Sequence, residues 1–413
     1  NSSMQTGTNG TSYYFSVASG DITNFFNEVD LNTPWDYHYE NLDSRTILDR
    51  LAAVKYFVVK AGEEEYLPYG YDTLAAEAEK KDRLYRAYEC KNALPIGYTY
   101  DSYIPEKKYA KMSTVQKQQA LLQGVVLADS AVPETTPEFN DREVPYKLVT
   151  GSGCKEKDGK LIITKENAQA KLVFDGLDEC ETYLITEGVD YEALSPRELI
   201  SDKKWNKMTL YEQKKVQYEN SKWRYWKESQ KAYIDVTGQF LDKTISIFTD
   251  KYNAYSGRSD FLCNTGYSEK GKKSITLTFE NTGVYSYKDM KVVCQPMENI
   301  ESQTTKLRAE SLENVEIKNH ELTGNISVSK DKVLVISLPY SEGFQAYVDS
   351  QKTDLKQANT MYMALELTKG DHEIRITYYT PYLKTGLVLT CVGILCYICV
   401  VLVCKKRRGN KET

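Results

Sequence analysis

The sequence predicts a mainly β protein with an α/β N-terminal part, two antiparallel jelly-roll-like β-sandwiches with a helical insertion, and one C-terminal transmembrane helix. Two observations predict this fold class. A long apolar run near the C-terminus is followed at once by lysines and arginines, and much of the preceding chain consists of short alternating apolar runs broken by glycine-containing turns. With 12% aromatic and 27% charged residues, the body is predicted to be folded rather than disordered.

Residues 1–145 predict an α/β domain that ends in a linker. Apolar residues between 43 and 53 are spaced for one face of a short helix, and a β-branched, aromatic strand follows at 56–59. A capping box at 113–116 begins a second helix, which we expect to end near Ala128. The remainder of the segment is rich in Pro, Thr, Glu and Asp, which indicates a linker.

Residues 146–300 change to a period of two and predict the first β-sandwich. Asp158-Gly159 and Asp175-Gly176 separate strand candidates, and Asp-Gly is a strong hairpin signal because a type I′ turn needs positive φ. The strand at 275–279 alternates apolar and hydroxyl residues, so one of its faces is predicted to contact water. A helical insertion at 195–231, with two capping boxes, interrupts the strands.

The helical insertion interleaves aromatic residues with lysines. One interpretation is that this basic aromatic helix lies on a membrane surface or stacks against sugars. The other is that its aromatic side chains pack onto the sandwich while its lysines face solvent. The residues predicted to contact an acceptor or a membrane surface are Trp205, Trp223, Tyr225 and Trp226.

Residues 301–381 predict a second, membrane-proximal sandwich. Only Thr380-Pro381-Tyr382 separates its last strand from the apolar run, so this sandwich is expected at the bilayer surface. A helix over 382–404 is long enough to cross a hydrocarbon core of about 30 Å. The basic tail 405–413 is predicted to be cytoplasmic, which places the body on the extracytoplasmic side of the cell membrane.

Charge and cysteine content exclude some function classes and leave one question open. The tail holds five of the 53 basic and one of the 58 acidic residues, so the body carries −9, which argues against bulk attraction to nucleic acid or to anionic polymers. Five cysteines lie outside the membrane segment. Cys154 with Cys180, or Cys263 with Cys294, is a possible bridge, and unpaired buried thiols are the alternative. The five are Cys90, Cys154, Cys180, Cys263 and Cys294.

The residues show no catalytic or metal-binding constellation. The three histidines, His38, His320 and His372, stand apart without other ligands at metal spacing, and neither a P-loop nor a nucleophile elbow occurs. We therefore predict no catalytic residue, metal ligand or cofactor in this chain. Because its first residues lack an export signal, we expect either a cleaved signal peptide or the earlier helices of a polytopic protein upstream.

Several strings in the sequence resemble the YfhO family of bacterial polytopic membrane proteins, and they are spread over nearly the whole chain. Phe344 stands where the family usually has Trp, and Ser350 stands where Gly is usual. The strings are Leu51-Ala-Ala-Val-Lys-Tyr56, the run 333–343, Ala346-Tyr-Val-Asp349, Gly370-Asp-His-Glu-Ile374 and Tyr378-Tyr-Thr-Pro381.

The resemblance implies a GT-C-type glycosyltransferase that takes sugar from a lipid-phosphate donor and transfers it to a cell-envelope polymer such as lipoteichoic acid. The catalytic carboxylate of such enzymes lies in an early loop that this sequence does not contain, so no catalytic residue is carried over. This part is expected to aid acceptor binding or to cover the active site. Its implied partners are upstream transmembrane helices of the same protein, the lipid bilayer and a cell-envelope glycopolymer, with no nucleic acid.

Two other interpretations remain open. The chain is alternatively a single-pass surface protein that binds carbohydrate or protein through its β-sandwiches. It is also consistent with a purely structural lid on a transporter-like membrane portion.

Overall fold

A computed structural model describes residues 10–14, 19–31, 38–39, 41–226, 230–238, 241–253 and 255–409. Strands make up 42% and helices 21% of the chain, in several antiparallel sheets followed by one C-terminal apolar helix. The predicted fold class is therefore confirmed.

Among its described residues, the N-terminal segment contains four short α-helices, one 3-10 helix (Glu64–Tyr66) and eight strands. The helices are α1 (Gly20–Glu28), α2 (Thr46–Leu51), α3 (Glu106–Tyr109) and α4 (Thr114–Ala120). The strands are β1 (Tyr13–Tyr14), β2 (His38–Tyr39), β3 (Tyr56–Lys60), β4 (Tyr71–Lys80), β5 (Arg83–Cys90), β6 (Gly97–Tyr100), β7 (Tyr103–Pro105) and β8 (Val125–Leu127).

Helix α4 begins as predicted but ends earlier. The capping box is present, with the Gln116 amide donating to Ser113 Oγ at 3.3 Å. The helix ends at Ala120, whereas the sequence suggested an end near Ala128, and Val125–Leu127 instead form strand β8 parallel to β7. Gly124 allows the chain before β8 to pack closely against Ile104, because a Cβ at this position would lie 2.9 Å from Ile104 Cγ1. The apolar residues after Ala120 continue the helical spacing of α4 in the sequence, although residues 125–127 form a strand.

The second module consists of thirteen strands and the helical insertion, which contains α5 (Asp202–Trp205) and α6 (Leu210–Trp226). Three antiparallel sheets result, with strand orders β10-β13-β19-β16-β17, β18-β14-β21-β9 and β11-β12-β20-β15. The strands are β9 (Arg142–Val144), β10 (Tyr146–Thr150), β11 (Cys154–Lys157), β12 (Lys160–Ile163), β13 (Ala168–Phe174), β14 (Cys180–Glu187), β15 (Asp190–Ala193), β16 (Lys231–Thr237), β17 (Asp242–Phe248), β18 (Phe261–Ser268), β19 (Ser274–Phe279), β20 (Gly283–Ser286) and β21 (Asp289–Pro296).

Of the two Asp-Gly hairpin signals, one marks a hairpin. Asp158 and Gly159 have φ of 51° and 70° and join the paired strands β11 and β12. Gly176 instead lies on a connection between two sheets, where its amide donates to the Lys272 carbonyl at 2.8 Å. A Cβ at this position would approach that oxygen to 2.7 Å, so the glycine is needed for close backbone approach rather than for a turn.

The third module contains helix α7 (Ile300–Arg308) and eight strands. Its two antiparallel sheets have the orders β22-β23-β29-β25-β26 and β27-β28-β24-β6. The strands are β22 (Glu313–Lys318), β23 (Glu321–Val328), β24 (Lys332–Pro339), β25 (Phe344–Val348), β26 (Gln351–Thr353), β27 (Lys356–Ala358), β28 (Tyr362–Leu367) and β29 (Gly370–Tyr378).

Residues 1–145 contribute one strand to each sandwich, because β9 of the second module lies within the predicted linker. Strand β6 pairs with β24 in the third module, with Tyr100 opposite Val333. Strand β9 pairs with β21, with Val144 opposite Val292. The sequence did not predict these partners, because a short strand carries no signal for a distant partner.

The N-terminal segment also fills the space between the two sandwiches. In β24, Val333 and Val335 belong to the core of the N-terminal segment, while Leu334 and Ile336 belong to the core of the third module. In β14, Tyr183 packs with Val115 of the N-terminal segment. The near-continuous apolar sequence of β24 therefore reflects burial on both faces of its sheet.

A buried ionic network joins the N-terminal segment to the second module. The Asp43 carboxylate lies 2.6 Å from Lys243 Nζ and 3.3 Å from Arg45 Nε. Arg45 is completely buried and also donates to the carbonyl oxygens of Val29, at 2.5 Å, and Asp30, at 2.9 Å. Each charge is thus compensated by an opposite charge or by hydrogen bonds.

Two further buried carboxyl groups lie at the same interface. Glu181 Oε1 accepts from the amide and hydroxyl of Thr46, at 2.9 and 2.5 Å, while Tyr183 donates to its other oxygen. Burial raises the pKa of Glu181, and these hydrogen bonds oppose that shift. Burial also raises the pKa of Asp49 well above its usual value, with added effects from the Glu181 and Asp43 charges and an opposing effect from Lys243.

None of the nine cysteines, all of which lie among the described residues, forms a disulfide bond. The five outside the membrane helix are buried, which agrees with the alternative of unpaired buried thiols. Burial raises the pKa of the Cys154 thiol to about 11 and those of Cys180 and Cys263 to about 12.

We expect these five thiols to resist maleimide in the native protein, because the thiolate is the reactive form and each sulfur is buried. The measurement is mass spectrometry after brief labelling, with and without denaturant. Labelling of any of the five at the rate of the denatured protein would contradict this prediction.

The C-terminal helix α8 (Leu383–Gly409) follows the third module after a short connection. Its segment Leu383–Cys404 is 22 residues long and apolar enough to cross a membrane, and its side chains are exposed in the isolated chain. Tyr382 immediately before it has a φ of 60°. The last strand thus leads into the membrane helix through a few residues only.

Candidate functional site

The helical insertion, residues 195–231, connects β15 to β16 and carries the residues predicted to contact an acceptor. Both predicted capping boxes form. The Ser195 amide donates to Glu198 Oε2 at 2.8 Å, although this box caps a turn rather than a helix. The Thr209 amide donates to Glu212 Oε2 at 2.7 Å, and the Glu212 amide donates to Thr209 Oγ1 at 3.3 Å at the start of α6.

One face of α6 packs against the chain that precedes it. Positions 213, 216, 220 and 223 follow helical spacing, and all are buried or half-buried. Gln213 Nε2 donates to the Trp205 carbonyl at 3.0 Å, and Asn220 Oδ1 accepts from the Arg197 amide at 3.2 Å. The insertion is therefore held together by its own contacts, and Trp223 lies on its packed face.

Trp205 is also held inside the insertion. The Arg197 guanidinium lies 4.4 Å from the centre of the Trp205 ring, and it donates to Asp202 Oδ1 at 2.8 Å. A ring covered on one side by a guanidinium is less available to stack on a ligand. Trp205 and Trp223 thus contribute to the packing of the insertion, whereas the side chains of Tyr225 and Trp226 lie outside the described set.

The opposite face of α6 presents tyrosines to solvent. Tyr211 is 78% exposed and Tyr218 is 61% exposed. Seven residues separate them, which places both on one side of the helix, and Lys222 Nζ lies 4.5 Å from the centre of the Tyr218 ring. The predicted acceptor contacts did not include these two residues, although the seven-residue spacing of Tyr211, Tyr218 and Tyr225 indicates a shared helix face.

The insertion differs in charge from the rest of the protein. It contains 10 basic and 5 acidic residues, a net charge of +5, although the whole chain carries −5. Lys214 and Lys215 are exposed beside the two tyrosines. Aromatic rings beside ammonium groups favour sugar rings and anionic groups as ligands. We call the face formed by Tyr211, Lys214, Lys215, Tyr218 and Lys222 the tyrosine-lysine face.

The described residues contain no group of three or more His, Cys, Asp or Glu side chains that could hold a metal ion. The tyrosine-lysine face likewise lacks a nucleophile paired with a base. What this surface can do chemically is bind.

Two of the family-like strings meet at a turn in the third module. Asp349 and Ser350 both have positive φ, at 52° and 66°, and join β25 to β26. His372 Nδ1 lies 2.8 Å from Asp349 Oδ2, and His372 Nε2 lies 2.8 Å from the Thr368 carbonyl oxygen. Both ring nitrogens therefore face acceptors, which favours the doubly protonated imidazolium.

We expect the stability contribution of His372 to fall with rising pH. Burial opposes its charged form, but the hydrogen bonds and the Asp349 charge raise the pKa of His372 above 6.5 overall. The contribution is complete below about pH 6.5 and is lost as pH rises through the raised pKa. Urea unfolding of the wild type and His372→Gln should differ most near pH 6 and converge toward pH 9. An identical difference at all pH values would contradict the prediction.

Comparison with known proteins identifies the family. The model of the family described as "Bacterial membrane protein YfhO" matches residues 1–390. The chain belongs to the YfhO family. A curated relative, the "Uncharacterized protein YfhO" of Bacillus subtilis (strain 168), is 21% identical over 420 residues, which cover 98% of this chain. The match spans 42% of that relative, so this YfhO-family chain corresponds to less than half of its length.

Solved structures show only distant likeness. A mutant of the arabinofuranosyltransferase AftD from Mycobacteria matches 41% of this chain and 14% of its own, with 13% identity and a TM-score of 0.16. The CBM22-1-CBM22-2 tandem domain of Paenibacillus barcinonensis Xyn10C matches 60% of this chain and 92% of its own, with 11% identity and a TM-score of 0.21. Likenesses this low do not define a shared fold.

Proposed function

We propose that this chain is the extracytoplasmic part and one membrane helix of a polytopic membrane glycosyltransferase. The observation that carries the proposal is membership of the YfhO family over residues 1–390. The family resemblance implies sugar transfer from a lipid-phosphate donor to a cell-envelope polymer such as lipoteichoic acid. In this proposal, the chain supplies surfaces that bind the acceptor or cover the active site. The catalytic carboxylate is assigned to an upstream loop, as the family resemblance implies.

The arrangement of the body supports a role at the membrane surface. The N-terminal segment packs with both sandwiches, and the third module leads directly into the apolar helix. A body built in this way remains close to the bilayer, where a lipid-linked donor is located. Its proposed partners are the upstream helices of the same protein, the lipid bilayer and the envelope glycopolymer, with the basic tail in the cytoplasm.

The tyrosine-lysine face supports acceptor binding. Its two exposed tyrosine rings suit stacking on sugars, and its lysines suit the phosphates of a teichoic polymer. The same helix also carries the acidic residues Glu212 and Glu219. Leu210 is a large aliphatic residue exposed beside the tyrosine-lysine face. A helix that inserts into a bilayer needs a broader aliphatic face, so a polymer is the favoured ligand.

The test uses the bacterium that carries this gene. Deletion of the gene should remove the glycosyl substituents of its lipoteichoic acid, measured by NMR of the extracted polymer, and full-length protein should restore them. The purified full-length protein should also transfer sugar from a lipid-phosphate donor to unsubstituted polymer. Unchanged substitution after deletion, together with no transfer by the purified protein, would refute the proposal and favour a surface protein that only binds carbohydrate or protein.

A further inference from the structure

Helix α2 is buried on all sides where the N-terminal segment meets the two sandwiches. Each of its six residues is at most 2% exposed. The Thr46 amide donates to Glu181 Oε1 of the second module at 2.9 Å. At the other end, Arg50 Nη1 donates to Thr304 Oγ1 of α7 at 3.3 Å. This short helix therefore joins the N-terminal segment to both sandwiches through buried polar contacts.

Three buried carboxyl groups lie at this junction, and its cations and hydrogen-bond donors are divided unequally among them. Asp43 binds both Lys243 and Arg45. Glu181 accepts three hydrogen bonds from neighbouring residues. The third carboxyl group is that of Asp49, whose Oδ2 atom is buried and has no hydrogen-bond partner among the described residues. The junction thus provides partners for two of its three carboxyl groups.

The charged groups around Asp49 do not compensate a negative charge on it. Arg50, its neighbour on α2, pairs with Glu301 of α7 at 2.5 Å. Burial raises the pKa of Asp49 most, the two other carboxylates raise it further, and Lys243, which opposes them, is already paired. The ionisable groups of other elements that act on Asp49 are Asp43 before α2, Tyr71 of β4, Glu181 of β14, Lys243 of β17 and Tyr362 of β28.

This distribution of partners decides which carboxyl group keeps a proton. An ionised carboxylate removed from water needs a cation or several hydrogen-bond donors, whereas a neutral acid needs far less compensation. Three buried carboxyl groups with two cations are balanced when one of the three stays protonated. The proton belongs on Asp49, because its Oδ2 atom is the one without a partner.

We propose that protonation of Asp49 controls how tightly helix α2 packs against the second module. The neutral acid permits the packed arrangement, and loss of its proton adds a third negative charge to the buried junction. Because the acid holds its proton more strongly in the folded than in the unfolded chain, stability falls as pH rises. The fall begins near the pKa of an unfolded Asp, about 3.9, and is complete above the folded-state pKa.

The first test compares the wild type with Asp49→Asn by urea unfolding of the full chain in detergent between pH 5 and pH 9. Asparagine has nearly the size of aspartic acid and cannot ionise. One proton changes the folding equilibrium constant by up to about tenfold per pH unit. We therefore expect the constant of Asp49→Asn to gain at least about tenfold on that of the wild type over this range. Glu321→Gln, at a partly exposed pair with Arg375, is the control and should show no such gain.

Hydrogen exchange of the α2 amides separates loosening of the junction from global unfolding. At pH 9, the amides of residues 46–51 should exchange about tenfold faster in the wild type than in Asp49→Asn. Those of β29 in the third module should exchange equally in both proteins, and the α2 difference should be smallest at pH 5. Comparison at one pH cancels the chemical exchange rate. Asp49→Leu is the second variant, because leucine has no polar atom that could remain unpaired.

The outcomes of the two measurements separate a protonation effect from a packing effect. A difference that grows with pH in Asp49→Asn or Asp49→Leu, without such growth in Glu321→Gln, supports the proposal. A difference that does not depend on pH would assign the Asp49 carboxyl to packing alone and overturn the proposal. A relative gain of the wild type at pH 9, or failure of both variants to fold, would also overturn it, because a neutral side chain should be tolerated at this position. None of these measurements depends on sugar transfer.

Discussion

Replacing Arg45 by alanine is expected to lower the free energy of unfolding by about 3–5 kcal/mol. The guanidinium is completely buried, and its removal takes one of two cationic partners from Asp43 and the donors from the carbonyl oxygens of Val29 and Asp30. Uncompensated polar groups at a buried interface cost far more than a lost surface contact. Urea unfolding of the full chain in detergent, followed by tryptophan fluorescence, measures the change.

Arg375→Ala is the matched control for this measurement. Its side chain is 44% exposed and its guanidinium lies 3.5 Å from the Glu321 carboxylate, so its loss should cost at most about 1 kcal/mol. Arg45→Lys should fall between wild type and Arg45→Ala, because an ammonium group cannot reproduce the planar fork of a guanidinium. Equal losses for Arg45→Ala and Arg375→Ala would show that the buried network does not stabilise the interface.

Under the proposed function, replacing both Tyr211 and Tyr218 by alanine is expected to raise the acceptor KM of sugar transfer about tenfold with little change in kcat. Aromatic contacts contribute about 0.5–1.5 kcal/mol each, and 1.4 kcal/mol corresponds to a factor of ten. The free energy of unfolding should not change, because both rings are largely exposed. Transfer kinetics with the full-length protein and purified polymer provide the measurement.

Tyr56→Ala is the matched control for the two tyrosines. Tyr56 is 49% exposed on β3, and Lys55 Nζ lies 5.2 Å from its ring centre, which resembles the pairing of Tyr218 with Lys222. Acceptor KM should not change in this variant. Trp223→Ala, on the packed face of α6, should instead increase protease cleavage within the insertion. A wild-type acceptor KM in the variant that lacks Tyr211 and Tyr218 would show that the tyrosine-lysine face does not contribute to acceptor binding.

Sequence patterns predicted the structural elements that depend on residues close together in the chain. The capping boxes at Ser113 and Thr209, the turn at Asp158-Gly159 and the alternation over 275–279 all form, because each depends on groups a few residues apart. The apolar run that ends in the basic tail likewise forms a helix long enough to span a membrane. Residues 125–127 were assigned incorrectly to a helix, since a short apolar run fits either period.

Features that depend on distant partners were not predictable. The sequence from Asp43 predicts a short helix, but it does not indicate that the side chains of Asp43 and Arg45 are buried, with Asp43 paired to Lys243 of the second module. In the insertion, the sequence does not distinguish aromatic residues on the packed face from those on the exposed face. Trp205 and Trp223 were therefore included among the predicted acceptor contacts. Only the contacts of α6 distinguish the tyrosine-lysine face from the packed face.

The pairing of β6 with β24 has a consequence for how the protein is made. The Ser337 hydroxyl donates to the carbonyl of Ile96, a residue 241 positions away in sequence, beside the Gly97–Ile336 pairing. The N-terminal segment cannot complete its core until nearly the whole chain has been synthesised. Its apolar side chains remain uncovered during that interval, and contacts between such distant residues form slowly. Folding of this body should therefore depend on chaperones that shield the early segment while the late strands are synthesised.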